Sequence, residues 1–329
     1  MKRNNQKISI SLIIGILFLF LIQGKLSAQF IGADFQYALE QNVTEDTLLL
    51  SMADAPSPSL SVDPNMPTKY KVTLKLYFSC RHEDFFQEQP ITVHEHVGNM
   101  QTMQVALKLD SVSSATEYLN VACEMAREQC IKTATYSGVI EVRNLAGGYD
   151  ITWGTCCWET SVKNIDNLKM QGLAMVLHLP SSEGHSRNST PIFLRDPQVL
   201  TCPEKIMNIN SGAMDKDGDK LSYKLIQPYT FQQEISYDNS KYSDLFPGQN
   251  THKPLVVGRP PFKKNKYAIG YDFNKPLGES VFTIDNNTGS IDLQPVEAGR
   301  YLVGIGVSEH RDNILLGETQ RVFILEVLT

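Results

Sequence analysis

The chain has 329 residues, of which 42% are hydrophobic and 20% charged, and its formal net charge at pH 7 is −6. An acidic balance of this size argues against binding to a nucleic-acid backbone, which requires clustered basic side chains. It is compatible with an exported protein and with binding of divalent cations.

The first 28 residues read as a secretory signal peptide. After a basic start, the apolar run Leu12–Ile22 is too short to span a bilayer, and a polar segment then ends in a small residue, Ala28. A non-cleaved anchor is the alternative interpretation. Residues 1–28 hold four basic and no acidic residues, so their removal brings the formal charge to −10. No later segment is apolar enough to span a membrane, and we therefore expect an exported mature chain without a membrane span.

Side-chain alternation with a period of two, rich in Val, Ile, Thr and Tyr, dominates the rest of the sequence. Many short strands at this spacing predict antiparallel β-sandwiches rather than a parallel sheet. We expect an all-β protein of two tandem β-sandwich domains, residues 29–186 and 187–329, divided near the polar stretch 180–191. The predicted strands are 31–38, 69–79, 91–95, 102–109, 135–143, 149–156, 172–179, 191–194, 205–211, 221–226, 281–284, 289–293, 300–308 and 314–328.

Three stretches depart from this alternation. Segment 40–68 contains four prolines and predicts a long insertion loop. Residues 229–266 predict a second irregular stretch at one end of the second domain. Residues 114–130 are compatible with a short helix.

The six cysteines of an exported chain are more typical of disulfide bonds than of metal ligands or nucleophiles. Two of them flank the short segment "EMAREQ" and are expected to pair with each other. Cys156 and Cys157 are adjacent, so on a strand they point to opposite faces and need separate partners. The apolar face of strand 69–79 favours Cys80 as the partner of Cys157, although a bulge before Cys156 would exchange the partners. The predicted pairs are Cys123–Cys130, Cys80–Cys157 and, between the two domains, Cys156–Cys202.

The stretch "AMDKDGDKLSYKL" places Asp215, Asp217 and Asp219 at alternate positions around one glycine. Calcium takes six to eight oxygen ligands, and alternate carboxylates on a tight turn supply two or three of them. The spacing is not that of an EF-hand, because the glycine comes too early and no bidentate glutamate follows. The alternative is a polar hairpin turn whose aspartates cap their own backbone amides. The residues alone leave both interpretations open.

The histidines give a weaker signal. His94 and His96 share one strand face, which is compatible with zinc. No third ligand is apparent nearby in the sequence, so the pattern favours an exposed strand edge.

Known enzyme motifs are missing from the sequence. It has no Gly-x-Ser-x-Gly elbow, no His-Glu-x-x-His helix and no phosphate-binding loop. Asp285 and Glu309 are candidates for the carboxylate pair of a glycoside hydrolase, but the sequence favours a protein that is not an enzyme. Trp153 on an inward strand face is more typical of a core than of a sugar-stacking platform.

Seven motifs follow one another through nearly all of the mature sequence: "GADFQYAL", "KYKVTLKLYFSC", "YSGVIEV", "DITWGTCCWETSVKNI", "NSTPIF", "LTCPEKIMNINSGAMDKDGDKLSYKLIQP" and the closing segment from "IDNNTGS" to "VFILEV". In this order they resemble the amino-terminal region of secreted surface proteins of Bacteroidetes, of the gliding-motility-associated or PKD-containing type. The resemblance does not include the long repeats or the carboxy-terminal sorting domain into which those proteins continue. The pattern of cysteines is also thinner here, since Ala38 or Leu39 stands where the family usually has one.

The resemblance implies that the second domain is a cadherin-like, Ig-like β-sandwich. In such domains an Asp-x-Asp-Gly-Asp turn often marks a calcium site, which favours calcium at Asp215, Asp217 and Asp219. Glu309 is carried over as a weaker candidate ligand, because the long strand before its turn would bring it close.

We therefore expect a non-enzymatic structural or binding module, rigidified by disulfide bonds and calcium and acting in adhesion or surface-complex assembly. Its location would be the periplasm, the cell surface or the extracellular space, and its partner an unknown protein or glycan there. A carbohydrate-binding protein is the first alternative, and an enzyme similar to glycoside hydrolases is the second.

Overall fold

The structure is a computed structural model that describes most of the chain after the predicted signal peptide. Residues 1–29, most of the insertion loop, Cys123 and Cys157 lie outside the described residues. The described residues are 30–40, 67–98, 101–118, 128–156, 158, 162–168, 171–181, 188–230 and 253–328.

The protein is all-β, as predicted: the described residues contain nineteen strands and no α-helix. Within them, no helix is long and apolar enough to cross a membrane. The first seven strands are β1 (Phe30–Leu39), β2 (Thr68–Ser79), β3 (Glu88–Glu95), β4 (Gln101–Tyr118), β5 (Glu128–Val142), β6 (Tyr149–Cys156) and β7 (Leu173–Leu179). The next eight are β8 (Ile192–Phe193), β9 (Leu200–Thr201), β10 (Met207–Asn210), β11 (Ala213–Met214), β12 (Lys220–Leu225), β13 (Tyr229–Thr230), β14 (Lys253–Leu255) and β15 (Lys263–Lys264). The last four are β16 (Val281–Ile284), β17 (Ser290–Gln294), β18 (Gly299–Arg311) and β19 (Ile314–Val327).

Fourteen strands form one hydrogen-bonded sheet in the order β12-β18-β19-β1-β2-β5-β4-β3-β6-β7-β13-β15, with β14 beside β6 and β9 beside β19. Its pairings are antiparallel except that of β9 with β19. Two smaller sheets have the orders β10-β17-β16 and β11-β8. The large sheet runs through both predicted domains, because β1 pairs with β19 and strands β13 and β14 pair with β7 and β6.

Two hydrophobic cores pack against this sheet. The larger core contains Trp153, and it contains the whole apolar face predicted for β2 from Tyr70 to Phe78. The smaller core contains Tyr301 and Phe323, together with Tyr77 from the opposite face of β2. The alternation along β2 therefore serves two cores, one on each side of the strand.

A buried ion pair lies where β1 meets β19. Arg321 donates from Nε to Asp34 Oδ1 at 2.8 Å and from Nη2 to Asp34 Oδ2 at 2.5 Å. Tyr77 donates to the same carboxylate at 2.6 Å, and Arg321 also donates to the carbonyl of Arg195 at 2.7 Å. Burial opposes the charge of Arg321, but the adjacent Asp34 carboxylate holds its pKa above the ordinary value. This network ties strands β1, β2 and β19 together at the junction of the two cores.

A disulfide bond joins Cys80 to Cys130, whose Cα atoms are 5.5 Å apart. The predicted pairs Cys123–Cys130 and Cys80–Cys157 are therefore wrong. Strands β2 and β5 pair along the whole of β2, so the residue after β2 lies opposite Cys130. Strand parity indicates the face a cysteine occupies, but not the neighbouring strand that supplies its partner. By the chain-entropy relation, a bridge across 50 residues stabilises the fold by about 4 kcal/mol.

Two further cysteines, Cys156 and Cys202, are each disulfide-bonded. Cys156 ends the fully buried strand β6, and Cys202 follows β9. The bond expected between them stays a prediction.

The helix considered for residues 114–130 is wrong at both of its ends. Strand β4 continues to Tyr118 and strand β5 begins at Glu128, and the two pair without a break from Ser111 opposite Thr135 to Tyr118 opposite Glu128. Residues 119–127 lie outside the described residues. Pairing with a long neighbouring strand outweighs local helix propensity here.

Candidate metal-binding site

Two groups of ligand-type side chains converge among the described residues. In each group, the potential ligand atoms lie within 4.8 Å of one another. We call the first the acidic cluster, formed by Asp215, Asp219 and Glu309, and the second the histidine cluster, formed by His96, Asp150 and His178.

Strand pairing brings the acidic cluster together. The aspartate turn immediately precedes β12, and β12 pairs antiparallel with β18 so that Leu221 lies opposite Glu309. The start of β12 therefore lies beside the end of β18. Glu309 also lies opposite Gly317 of β19, where a Cβ atom would stand 2.8 Å from Glu309 Oε1. The long strand thus brings Glu309 to the turn, and the glycine leaves room for its carboxyl group.

The aspartate turn caps its own backbone, as the alternative interpretation predicted. Asp215 Oδ1 accepts hydrogen bonds from the backbone amides of Asp217 and Asp219, both at 2.9 Å. Gly218 has a φ of +83°, a conformation that other residues rarely adopt. Both bonds are accepted by Oδ1. The second oxygen, Oδ2, is buried and accepts no hydrogen bond from the described residues. Self-capping therefore does not exclude a cation at the second oxygen.

The segment between the two predicted domains contacts the cluster. Asp217 Oδ2 accepts a hydrogen bond from the backbone amide of Ser189 at 2.6 Å. Asn188 donates from Nδ2 to Glu309 Oε1, also at 2.6 Å. Asp217 therefore anchors this segment and is not one of the three converging carboxylates.

Arg311 supplies a positive charge to one of the carboxylates. Its Nε and Nη2 atoms donate to Asp219 Oδ1 and Oδ2 at 2.7 and 2.6 Å. Nη2 also donates to Asn188 Oδ1 at 3.2 Å. The hydrogen bond with Asp219 raises the pKa of Arg311 above its ordinary value. Arg311 thus neutralises Asp219, so Asp215 and Glu309 are the two carboxyl groups of the cluster that Arg311 does not bond.

Glu309 is fully buried, and its Oε2 atom accepts no hydrogen bond from the described residues. Burial and the nearby charges of Asp215 and Asp219 raise its pKa to about 8, although the hydrogen bond from Asn188 acts in the opposite direction. Burial likewise raises the pKa of Asp215. Two neighbouring carboxyl groups, each with one buried oxygen that has no donor among the described residues, need either a shared proton or a cation between them.

The donor set fits calcium. Calcium prefers oxygen ligands from carboxylates and amide carbonyls, and it tolerates irregular geometry. Carboxylate oxygens are available from Asp215 and Glu309. The backbone amides of Asp217 and Asp219 donate to Asp215, and Asn188 donates to Glu309, so all three lie beside these oxygens. Calcium would compete with Arg311 for the oxygens of Asp219.

The chain matches no family model, and comparisons with curated proteins and with solved structures find no similar protein. The resemblance to Bacteroidetes surface proteins therefore stays a prediction.

Two other residues considered in the sequence, Asp285 and Trp153, have structural roles. Asp285 lies in an exposed turn, where it accepts hydrogen bonds from Thr288 and from the amide of Asn287, and these bonds lower its pKa. Trp153 is fully buried in the larger core and donates to Gln89 at 3.2 Å. Both residues have roles that the fold explains.

The expectation of an exposed strand edge is wrong for His94, whereas His96 follows the end of β3 and is exposed. Strand β3 lies between β4 and β6, and His94 is only 4% exposed. The residues that the sequence did not connect to these histidines are Asp150 and His178, which come from β6 and β7. An available signal was the aspartate itself, since it is the one charged residue in the otherwise uncharged stretch "YDITWGTC".

Proposed function

We propose that this chain is an exported, non-enzymatic structural or binding module that acts in adhesion or surface-complex assembly. Its body would be two β-sandwich domains, the second cadherin-like, and its location the periplasm, the cell surface or the extracellular space. Disulfide bonds and one calcium ion would rigidify it. The observation that carries the proposal is the convergence of the half-buried Asp215 and Asp219 on the buried Glu309, where one oxygen of Asp215 and one of Glu309 have no hydrogen-bond partner among the described residues.

Calcium at this position would connect segments that are distant in sequence. It would hold the turn before β12, the end of β18 and, through Asn188 and Asp217, the segment between the predicted domains. That segment in turn bonds β1, since Thr190 and Tyr37 exchange backbone and side-chain hydrogen bonds of 2.9 to 3.0 Å. One ion would therefore fix the two halves of the chain relative to each other.

Thermal unfolding of the mature protein tests this proposal. After chelation, added calcium should raise the melting temperature, because a ligand at 100 times its dissociation constant stabilises the folded state by about 2.7 kcal/mol. Glu309→Gln should remove this increase, because an amide keeps the shape of the side chain but not its charge. Asp285→Asn is the matched control, since Asp285 also caps a turn but stands in an exposed one. An unchanged melting temperature at millimolar calcium, with wild-type protein, would refute the calcium site.

The partner is the second element of the proposal. We expect a surface protein or a glycan, captured more strongly when calcium holds the two halves of the chain in one arrangement. A pull-down from native membranes and a glycan array, each run with calcium and with chelator, measure this. If wild-type protein and Glu309→Gln capture the partner equally well in calcium, partner binding does not depend on the ion.

A further inference from the structure

The histidine cluster lies on one face of the large sheet. Asp150 in β6 lies opposite His94 of β3 on one side and His178 of β7 on the other. Directly opposed residues of antiparallel strands point to the same face, so these three side chains are neighbours. His96 follows two residues after His94, and its backbone amide donates to the carbonyl of Gly148 at 3.0 Å.

The ligand atoms of the cluster are close and convergent. His96 Nδ1 lies 2.9 Å from Asp150 Oδ1 and 3.0 Å from Oδ2. His178 Nδ1 lies 3.2 Å from Oδ1, and the two imidazole centroids are 4.3 Å apart. The carboxylate is buried, whereas both histidine side chains are partly exposed. Two imidazole nitrogens therefore approach one buried carboxylate from the solvent side.

These distances are near those that a zinc ion imposes. Bonds of about 2.0 to 2.1 Å in tetrahedral geometry place neighbouring ligand atoms roughly 3.3 Å apart. The observed separations of 2.9 to 3.2 Å need to widen by only a few tenths of an ångström. Both Nδ1 atoms lie at hydrogen-bond distance from Asp150, and a metal ion would replace these contacts. Burial opposes ionisation of Asp150, but hydrogen bonds from His178 and His96 hold its pKa below the ordinary value.

An independent feature lies beside the cluster. His94 is 4% exposed and its Nε2 atom has no hydrogen-bond partner among the described residues. Burial lowers the pKa of His94, with a further contribution from the charge of Arg259. The side chain of His94, which lies opposite Asp150 in the sheet, is therefore a further buried polar group beside the cluster.

The cluster opens into a cavity of about 610 Å³. His96 and Asp150 form part of its wall, and Tyr229 and Phe262 form an aromatic part. Arg259 also lines the cavity and donates to the carbonyl of His96 at 2.7 Å. A metal ion held by three protein ligands keeps further coordination positions, and here they would face this space.

We propose that His96, Asp150 and His178 form a site for a divalent transition-metal ion of the zinc class, separate from the acidic cluster. The open coordination positions face the cavity, where the guanidinium of Arg259 favours an anionic exogenous ligand. The nitrogen donors distinguish this site from the acidic cluster, whose ligands are all oxygen atoms and therefore suit calcium.

Metal titration of the mature, tag-free protein tests the site. With 1 mM calcium present to occupy the acidic cluster, we expect one equivalent of zinc to bind by calorimetry. We also expect cobalt(II) to give the visible absorption typical of nitrogen and oxygen ligands. His178→Gln and Asp150→Asn should each weaken zinc binding by roughly 100-fold. His178→Gln changes a partly exposed side chain and therefore remains informative if Asp150→Asn fails to fold.

Two controls separate the sites. His310→Gln removes a histidine in β18 outside the cluster and should leave zinc binding unchanged. Glu309→Gln should also leave it unchanged, while removing the calcium-induced rise in melting temperature. The proposal is overturned if wild-type protein binds no zinc at 0.1 mM, or if the double variant His96→Gln/His178→Gln binds zinc as tightly as wild type. Neither result would affect the calcium proposal, which has its own measurement.

Discussion

Asp34 and Glu309 are two buried carboxyl groups on strands that flank β19, and they have opposite surroundings. Asp34 receives two hydrogen bonds from Arg321 and one from Tyr77, so that both its oxygens are paired. Glu309 receives one hydrogen bond from Asn188, and its Oε2 atom has no donor in the part of the chain that the structure describes. Arg311 contacts the same cluster but pairs with Asp219.

The difference shows how structural and ligand-binding carboxylates can be distinguished. A buried charge is tolerated when a matched counter-charge and further donors compensate for the lost hydration. Asp34 meets this condition with residues of the chain alone, so we assign it to the fold. Glu309 does not, and the missing partner must be a proton or a cation. The pKa of Glu309 is raised to about 8 because burial and the nearby charges of Asp215 and Asp219 disfavour its ionised form.

The largest expected effect comes from breaking the compensated pair. Asp34→Asn leaves Arg321 buried without a counter-charge, which should lower the free energy of unfolding by about 3–5 kcal/mol. Urea denaturation measures this, and the loss should be the same in calcium and in chelator. The double variant Asp34→Leu/Arg321→Met should recover much of the stability, because it removes both buried charges. If Asp34→Asn lowers the free energy of unfolding by less than about 1 kcal/mol, Asp34 is not the compensated structural carboxylate that we contrast with Glu309.

The pH dependence of stability sharpens the comparison. In chelator, Glu309 keeps its proton in the folded state up to about pH 8 but loses it in the unfolded state near its ordinary value. Its contribution is therefore fully present below the unfolded pKa and is lost as pH rises through about 8, at up to about 1.4 kcal/mol per pH unit. The difference in unfolding free energy between wild type and Glu309→Gln, measured from pH 5 to 9, should follow this slope.

Calcium should reverse that trend, because the ion competes with the proton on Glu309. The calcium affinity of the wild-type protein should rise between pH 6 and pH 8 and level off above. A calcium affinity independent of pH in this window would show that Glu309 is not a ligand.

A smaller effect, on calcium affinity, is expected from the substitution of Arg311. Arg311→Gln frees both oxygens of Asp219 and removes one positive charge from the cluster, so calcium affinity should rise roughly tenfold, or about 1.4 kcal/mol. The matched control is Arg300→Gln on the same strand, since Arg300 pairs with Glu326 at 3.5 Å away from the cluster. A fall in calcium affinity for Arg311→Gln would show that Arg311 holds Asp219 in place for the ion.

The smallest effect tests the turn. Gly218 has a φ of +83° and no atom within 4 Å of the Cβ position, so Gly218→Ala should cost about 1 kcal/mol through backbone strain alone. Gly270→Ala is the matched control, because Gly270 has a φ of +89° and equally open surroundings. Only Gly218→Ala should also reduce the calcium-induced rise in melting temperature. If calcium raises the melting temperature of the two variants equally, the conformation of the aspartate turn does not affect calcium binding.

Much of the strand content was predictable because strand-favouring residues and, in strands such as β2, the alternation of apolar and polar residues are visible within a few positions of the sequence. The apolar face of β2 and the inward position of Trp153 are confirmed for this reason. The short strands β9, β11, β13, β14 and β15 were not predicted, since two or three residues carry too little periodicity. The disulfide of Cys80 was mispredicted because its partner depends on β5 lying beside β2.

The sequence by itself determined the all-β class, most strand positions and the aspartate turn, because these depend on residues within a few positions of one another. Only the tertiary structure decided which strands are neighbours, and strand neighbours create both clusters. Glu309 reaches the aspartate turn through the pairing of β12 with β18. Asp150 joins the histidines of β3 and β7 because β6 lies between those strands. Pairing of this kind is a long-range property of the sheet. The alternation of residues within a single strand does not specify which strands are its neighbours.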